Sequence, residues 1–184
     1  MAYNFSMRTR ILLCGAVLCG AILWGAEPRL AEFSLSVEHR VISATVQVEG
    51  AFSPEVMERI RSGFPVTFIY TFTLKSERRL RDRTWSKTRI SVTCKYDPVR
   101  VEYRLNFRKD GQLFDTRYVH HWTEASRGMV SLENLALFDV PEEARGRPVF
   151  VTSRVNLLSR TRWLIFPDDL EAPEISSTIF TVYE

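Results

Sequence analysis

Apolar and polar residues alternate with a period of two through most of the chain beyond residue 30, the pattern of strands with one buried face. Phe33, Leu35 and Val37 alternate with serine and glutamate, and Ile42, Ala44, Val46 and Val48 resume after a break at His39 and Arg40. The longest stripe is Val66, Phe68, Tyr70, Phe72 and Leu74, with Thr67, Thr71 and Thr73 on its reverse. Ile90, Val92, Cys94 and Tyr96 then alternate with Arg89, Ser91, Thr93 and Lys95. Val101, Tyr103, Leu105 and Phe107 alternate with Arg100, Glu102, Arg104 and Arg108. Val149, Val151, Val155 and Leu157, and a last strand near 175–183, bring the total to about eight strands.

Turn residues set the expected pairing. Asp97 and Pro98 mark one turn, and Asp110 with Gly111 marks a type I′ hairpin. If Lys109 pairs with Gln112, then Phe107 faces Phe114 and Tyr103 faces Tyr118, with Thr116, His120 and Trp122 following on the same inward face. The same register sets Arg104 opposite Arg117. Helical signals are few. Ser53, Pro54 and Glu55 form an N-cap, a first-position proline and a first-turn acid, Val56 and Ile60 share a face, and Gly63 supplies the stop. A second helix is expected from Glu124 to about Ser131 after a Thr123 cap, weakened by Gly128. The stretch 141–148 reads as a polar connector, and Pro167, Asp168 and Asp169 as a turn. The expected fold is mainly β: a two-sheet antiparallel β-sandwich, immunoglobulin-like or a flattened barrel, with one or two short α-helices.

Composition fits one domain of that kind. The 184 residues are 45% hydrophobic and 26% charged, which excludes disorder, collagen-like repeats and a polytopic membrane protein. Ahead of the alternating region, Arg8 and Arg10 precede an unbroken apolar run over 11–26, the layout of a secretory signal and shorter than the ~20 residues of a comfortable span. Residues 1–26 are therefore expected to be a signal peptide or, because Trp24 sits three before the cut where a small residue is wanted, an N-terminal anchor, and 27–184 a single domain. Leu13 and Leu18 before Cys14 and Cys19 argue against a lipoprotein. The expected place is exported: periplasmic, or tethered to the outer face of the inner membrane. Cys94 alone remains in the domain, on an inward strand face, where burial is expected. Of the net charge of +3, Arg8 and Arg10 belong to the leader, leaving +1 and no whole-protein case for nucleic acid.

Chemistry-bearing motifs are sparse. The chain has no glycine-rich phosphate loop, G-x-S-x-G, H-E-x-x-H or C-x-x-C. His120 and His121 are adjacent on a strand and point to opposite faces, so His120 is expected as a hydrogen-bonded inner-face residue and not as a base. Asp168, Asp169, Glu171 and Glu174 read as a solvated acidic loop. No catalysis and no cofactor is expected. The one charge anomaly runs from Lys75 to Arg89, where Arg78, Arg79, Arg81, Arg83 and Lys87 also lie, against only Glu77 and Asp82. Placed at a hairpin tip and joined by Arg104 and Arg117 on the polar faces, it is a candidate surface for anionic lipid headgroups or an acidic partner; a solvated face guarding against edge pairing is the plain alternative. Phe72, Tyr103, Phe107, Phe114, Tyr118 and Trp122 are the candidate lining of an apolar cleft between sheets, or else ordinary core.

One family resemblance emerges from Ser62-Gly63-Phe64-Pro65-Val66-Thr67-Phe68 after the capped helix, Arg78-Arg79-Leu80-Arg81-Asp82-Arg83-Thr84-Trp85, Tyr96-Asp97, and Arg162-Trp163-Leu164-Ile165-Phe166-Pro167. With the leader, these resemble a family of short exported bacterial proteins, the domain-of-unknown-function family numbered four-three-nine-zero. The resemblance implies company with a membrane sensor histidine kinase and brings no catalytic residues. The expected function is thus an exported, non-catalytic binding module at the cell envelope, an accessory or sensing partner of a membrane signalling protein. A carrier holding a lipid or other apolar ligand between the sheets is the alternative.

Overall fold

The protein is described by a computed structural model covering residues 28–78, 82–158, 170–171 and 173–182. The alternating segments form β1 (Arg29–Glu38), β2 (Val41–Glu49), β3 (Val66–Ser76), β4 (Arg83–Asp97), β5 (Glu102–Lys109) and β6 (Gln112–Val119). They are joined by β7 (Ser131–Asp139), β8 (Pro148–Leu158) and three two-residue strands, β9 (Leu170–Glu171), β10 (Ile175–Ser176) and β11 (Phe180–Thr181). Two helices, α1 (Pro54–Arg61) and α2 (Trp122–Val130), lie between them. All pairings are antiparallel. A small sheet of order β1-β2-β7 packs on a large sheet of order β10-β8-β3-β4-β5-β6, with β9 and β11 also on β8. The chain is a two-sheet β-sandwich, not a closed barrel: β6 and β7 end their sheets without pairing to each other.

The long stripes meet in the middle. Phe68, Tyr70, Phe72 and Leu74 of β3, Ile90, Val92 and Cys94 of β4, and Val151 and Val155 of β8 are fully buried against Ile42, Ala44 and Val46 of β2. Phe33 stacks on Phe72 across the sheets, with ring centroids 6.4 Å apart. The few polar groups drawn inward find partners. The Tyr70 hydroxyl donates to the Met129 carbonyl of α2, and Thr88 Oγ1 donates to the Leu137 carbonyl of β7 at 3.1 Å. Burial pushes the Tyr70 hydroxyl and the Cys94 thiol up, the latter to about 12. The first helix forms as its cap residues dictate: Ser53 Oγ accepts from the Val56 N–H, Val56 and Ile60 are buried, and Gly63 takes the left-handed φ of 80° that ends the helix. A Cβ added at Gly63 would meet the Tyr96 carbonyl oxygen of β4 at an ordinary contact distance of 3.5 Å, so it is the φ that calls for glycine.

Four expectations are corrected. The β5–β6 hairpin turns at Asp110 and Gly111, with φ of 48° and 90°, and pairs Lys109 with Gln112, but a bulge at Phe114 then shifts the strand by one residue. Phe107 pairs with Asp115, Tyr103 with Val119 and Arg104 with Tyr118, so every side chain beyond the bulge changes face. Tyr118 and His120 are therefore exposed instead of inward, and Arg104 and Arg117 lie on opposite faces instead of opposite each other. Second, 131–139 is a full strand. Its alternation is broken by Asn134 at φ 46° and by bulges in the β2–β7 ladder, which hides it from a period-two pattern. Third, β4 begins at Arg83 paired to Ser76, so Arg83, Lys87 and Arg89 are strand residues and not part of a long hairpin tip. Fourth, α2 starts at Trp122 with His121 at its N-cap, and the last strand is three short contacts along one edge of β8. The expected leader, Arg79, Arg81, the turn at Pro167, Asp168 and Asp169, and the motif from Arg162 to Pro167 lie outside the described residues.

Phe72 separates a filled core from a ligand-ready cleft. Phe72→Ala is expected to cost about 3–5 kcal/mol in urea unfolding, the loss from a close-packed interior; a cost under about 1 kcal/mol would mark a site already accommodating empty space.

Candidate functional site

The outward positions of the large sheet collect most of its charge. Thr67, Ile69, Thr71, Thr73 and Lys75 line β3; Lys87, Arg89, Ser91, Thr93 and Lys95 stand beside them on β4; Arg104, Asn106 and Arg108 continue on β5, and Arg154 lies on β8. Short hydroxyl side chains fill the middle and long cations rise around them. Thr67 and Thr93 hydroxyls hydrogen-bond at 2.8 Å, and Thr116 Oγ1 donates to Asn106 Oδ1 at 3.2 Å, linking neighbouring strands on this face. The result is a depression of about 800 Å³ over Thr67, Ile69, Ser91 and Thr93, with Lys87, Arg89 and the Asp110–Gly111 turn at its wall. That turn is pinned onto β4 by two bonds of 2.8 Å: the Asp110 N–H donates to the Arg89 carbonyl, and the Arg89 N–H donates to Asp110 Oδ1.

Lys87 also borders a second recess of about 410 Å³, shared with Thr73, Thr152 and Arg154. Here one acid is already in place. Glu174 accepts from Lys75 Nζ at 3.1 Å and Arg154 Nη2 at 2.9 Å. The Thr152 hydroxyl, and then Lys75 and Arg154, hold its carboxyl well below the usual range, at about 2, against a smaller opposing effect of desolvation. Glu174 was expected in a loose acidic loop; it instead fastens the returning chain to β8 and β3. Seven cations against Asp97, Glu102, Asp110 and Glu174 leave the outer face net positive.

The candidate anion-binding arginines divide. Arg104 belongs to this face, between Lys95 and Tyr118 in the ladder. Arg78 is exposed beyond β3, and the Arg83 guanidinium stacks 3.7 Å from the Trp85 ring centroid. Arg117 is turned to the other side. It pairs with Asp115 at 2.8 Å and lies 4.6 Å over the Phe107 ring. The Phe114 bulge explains this placement, and no turn residue announces that bulge in the sequence. The sequence shows Lys87 within a basic run and Arg89 also on the polar face of its strand; that they share a face with Arg154 depends on the β3–β8 pairing, which joins residues far apart in sequence.

The candidate cleft residues also part company. Phe72, Tyr103 and Phe107 are core. Trp122 is half-buried against Phe52 and Tyr103 at 5.1 and 5.8 Å. Phe114 is 50% exposed and touches Phe107 from the rim, while Tyr118 is 55% exposed on the outer face. What opens between the sheets is a groove of about 450 Å³ at the seam of β6, α2 and β7, floored by Leu105, Phe107 and Leu132 and rimmed by Arg117, Glu124, Arg127 and Glu133. Inward-pointing charge of this kind shields unpaired sheet edges. His120 is exposed, with Nδ1 3.4 Å from the Val101 carbonyl. Among the described residues no group of His, Cys, Asp and Glu is placed to hold a metal ion, and no helix is long and apolar enough to cross a membrane.

A β-sandwich with one polar, basic sheet face and a packed interior defines a class of domain, not yet a protein. Residues 26–160 match the family model described as Domain of unknown function (DUF4390), and the chain belongs to that family. No curated protein and no solved structure matches it.

The Glu174 cluster sets a pH dependence. Its carboxyl ionises more readily folded than unfolded, so its stabilising effect is complete above about 4.5, declines as the pH falls from there towards about 2, and is gone below. Urea midpoints between pH 2 and 6 should show this acid-side loss, and Glu174→Gln should flatten that part of the profile; an unchanged profile in the variant would remove the carboxyl from the account.

Proposed function

We propose that this protein is an exported, non-catalytic interaction module of the cell envelope, docking an acidic surface of a membrane-bound protein partner onto the basic outer face of its large sheet. The observation that carries the proposal is Lys87 and Arg89 at the wall of a depression of about 800 Å³ over Thr67, Ile69, Ser91 and Thr93, with Lys95, Arg104 and Arg108 on the same outward face of β4 and β5. Asp110 stands at the depression wall, Asp97 and Glu102 at the turn end of the same face and Glu174 beside Lys87, but seven cations outnumber these four acids, and an acidic partner relieves the excess positive field. Its recessed shape favours a protruding protein segment over a planar bilayer. Arginine on this face adds bidentate contact with carboxylates. The non-catalytic reading rests on Cys94, sealed with its thiol pushed up to about 12, and on His120, exposed and facing a carbonyl. The seam groove supports the carrier alternative less well, because its rim is charged and its floor continues into packed core.

The test uses fluorescein-labelled poly-L-glutamate as the acidic probe, with the full chain and a Lys87→Glu, Arg89→Glu, Arg108→Glu variant. Wild-type binding is expected to weaken steeply with salt and to fall about tenfold or more in the variant, at an unchanged urea midpoint. Equal binding by both proteins would overturn the proposal. Loss of binding only to phosphatidylglycerol vesicles would reassign the face to lipid.

A further inference from the structure

One end of the sandwich carries a second surface, chemically unlike the basic face. The β4–β5 turn there is closed by Asp97, whose Oδ1 accepts from the N–H groups of Val99 at 2.9 Å and Arg100 at 3.2 Å. Four residues, 98–101, form the loop, and its last position has the left-handed φ of 53° that glycine or asparagine fills at little cost. Valine occupies it. A β-branched residue with positive φ is strained, and strain kept at an exposed loop calls for a reason outside folding. What the loop displays supplies one: Val99 is 90% exposed and Val101 59%.

Their neighbours extend the pattern. Gly63 and Ser62, at the end of α1, border the same recess as Tyr96, Pro98 and Arg100, and Phe64, next in the chain, is 54% exposed. Lys95, Arg100 and Arg104 line that recess, and Arg61 directly precedes Ser62. The acids present are engaged: Asp97 with the turn amides and Glu102 with Arg100 at 3.7 Å. An exposed aliphatic and aromatic point inside a cationic collar matches the layered chemistry of a bilayer surface with anionic headgroups, where apolar side chains reach the acyl boundary and cations meet phosphates. The chain also enters the described domain at this end. Arg29 pairs with Glu49, and the β2–α1 connection that follows packs Phe52 on Phe68 and Trp122.

We propose that the β4–β5 turn is a lipid-contacting tip: Val99, Val101 and Phe64 seat in the interface of an anionic leaflet, with Arg61, Lys95 and Arg100 on its phosphates. The tip then fixes which way the domain stands, and the basic sheet face is left beside the membrane, turned towards a partner. The two surfaces share Lys95 and Arg104, but the tip uses none of the residues reversed in the poly-L-glutamate experiment, so either reading can fail alone.

The test places an environment-sensitive NBD label at Val99→Cys in the full chain, with Cys14→Ser and Cys19→Ser and the buried Cys94 left in place. Gln112→Cys, labelled likewise, reports the opposite end of β5 and β6. Vesicles of phosphatidylcholine mixed with phosphatidylglycerol are expected to shift the emission at 99 to the blue and to expose it to quenching by lipids brominated high on the acyl chain. The label at 112 should stay in water, and pure phosphatidylcholine should give a several-fold smaller response. Arg61→Glu with Arg100→Glu should abolish the shift. An unshifted label at 99 overturns the proposal, whether the protein stays in solution or sediments with the vesicles through another segment. A shift at 112 instead overturns it as well.

Discussion

The strict alternation along β3 and β4 is the constraint on which everything else rests. Because side chains on a strand point alternately to its two sides, a single register decision sends Phe68, Tyr70, Phe72, Ile90, Val92 and Cys94 inward and Thr67, Thr71, Lys87, Arg89 and Thr93 outward. The apolar side is consumed by the small sheet. The polar side has no second layer among the described residues, and so its charge is available to solvent or to a partner. Core and candidate site are thus two consequences of the same pairing.

That division also says which residues can be changed safely. The Thr88 hydroxyl is bound to the Leu137 carbonyl across the sheets, and the Tyr70 hydroxyl to the Met129 carbonyl, so these polar groups are part of the packing. Lys87 and Arg89, one position either side of Thr88, are exposed and carry the field without holding the fold. Glu174 is the exception on the outer face. It pairs with both Lys75 and Arg154, offsetting one of their two charges, and ties the returning chain to the sheet.

Most of the sandwich was legible from the sequence because period-two stripes and the turn chemistry of Ser53, Gly63, Asp110 and Gly111 have direct physical meaning. What was hidden had irregular backbone. Asn134, with positive φ, breaks the alternation of β7, so the third strand of the small sheet left no periodic trace. The bulge at Phe114 leaves no mark either, since Leu113-Phe114-Asp115 reads equally well in either register, yet it decides the faces of Arg117, Tyr118 and His120. The outer face could be read within a hairpin but not across β3 and β8, because pairing between distant strands is not written in local pattern. For the same reason the basic run was visible while its assembly with Arg154 was not.

The sorting of side chains at that bulge can be measured directly. With Cys14→Ser and Cys19→Ser in the background, the pairs Arg104→Cys with Tyr118→Cys and Arg104→Cys with Arg117→Cys are each oxidised under native conditions and examined by mass spectrometry. Directly paired residues bring their Cβ atoms to about 5 Å on one face, close to disulfide reach, and residues on opposite faces cannot be bridged. The account predicts a disulfide between positions 104 and 118 and none between 104 and 117. The reverse result would contradict it, returning Arg117 to the outer face and Tyr118 to the interior.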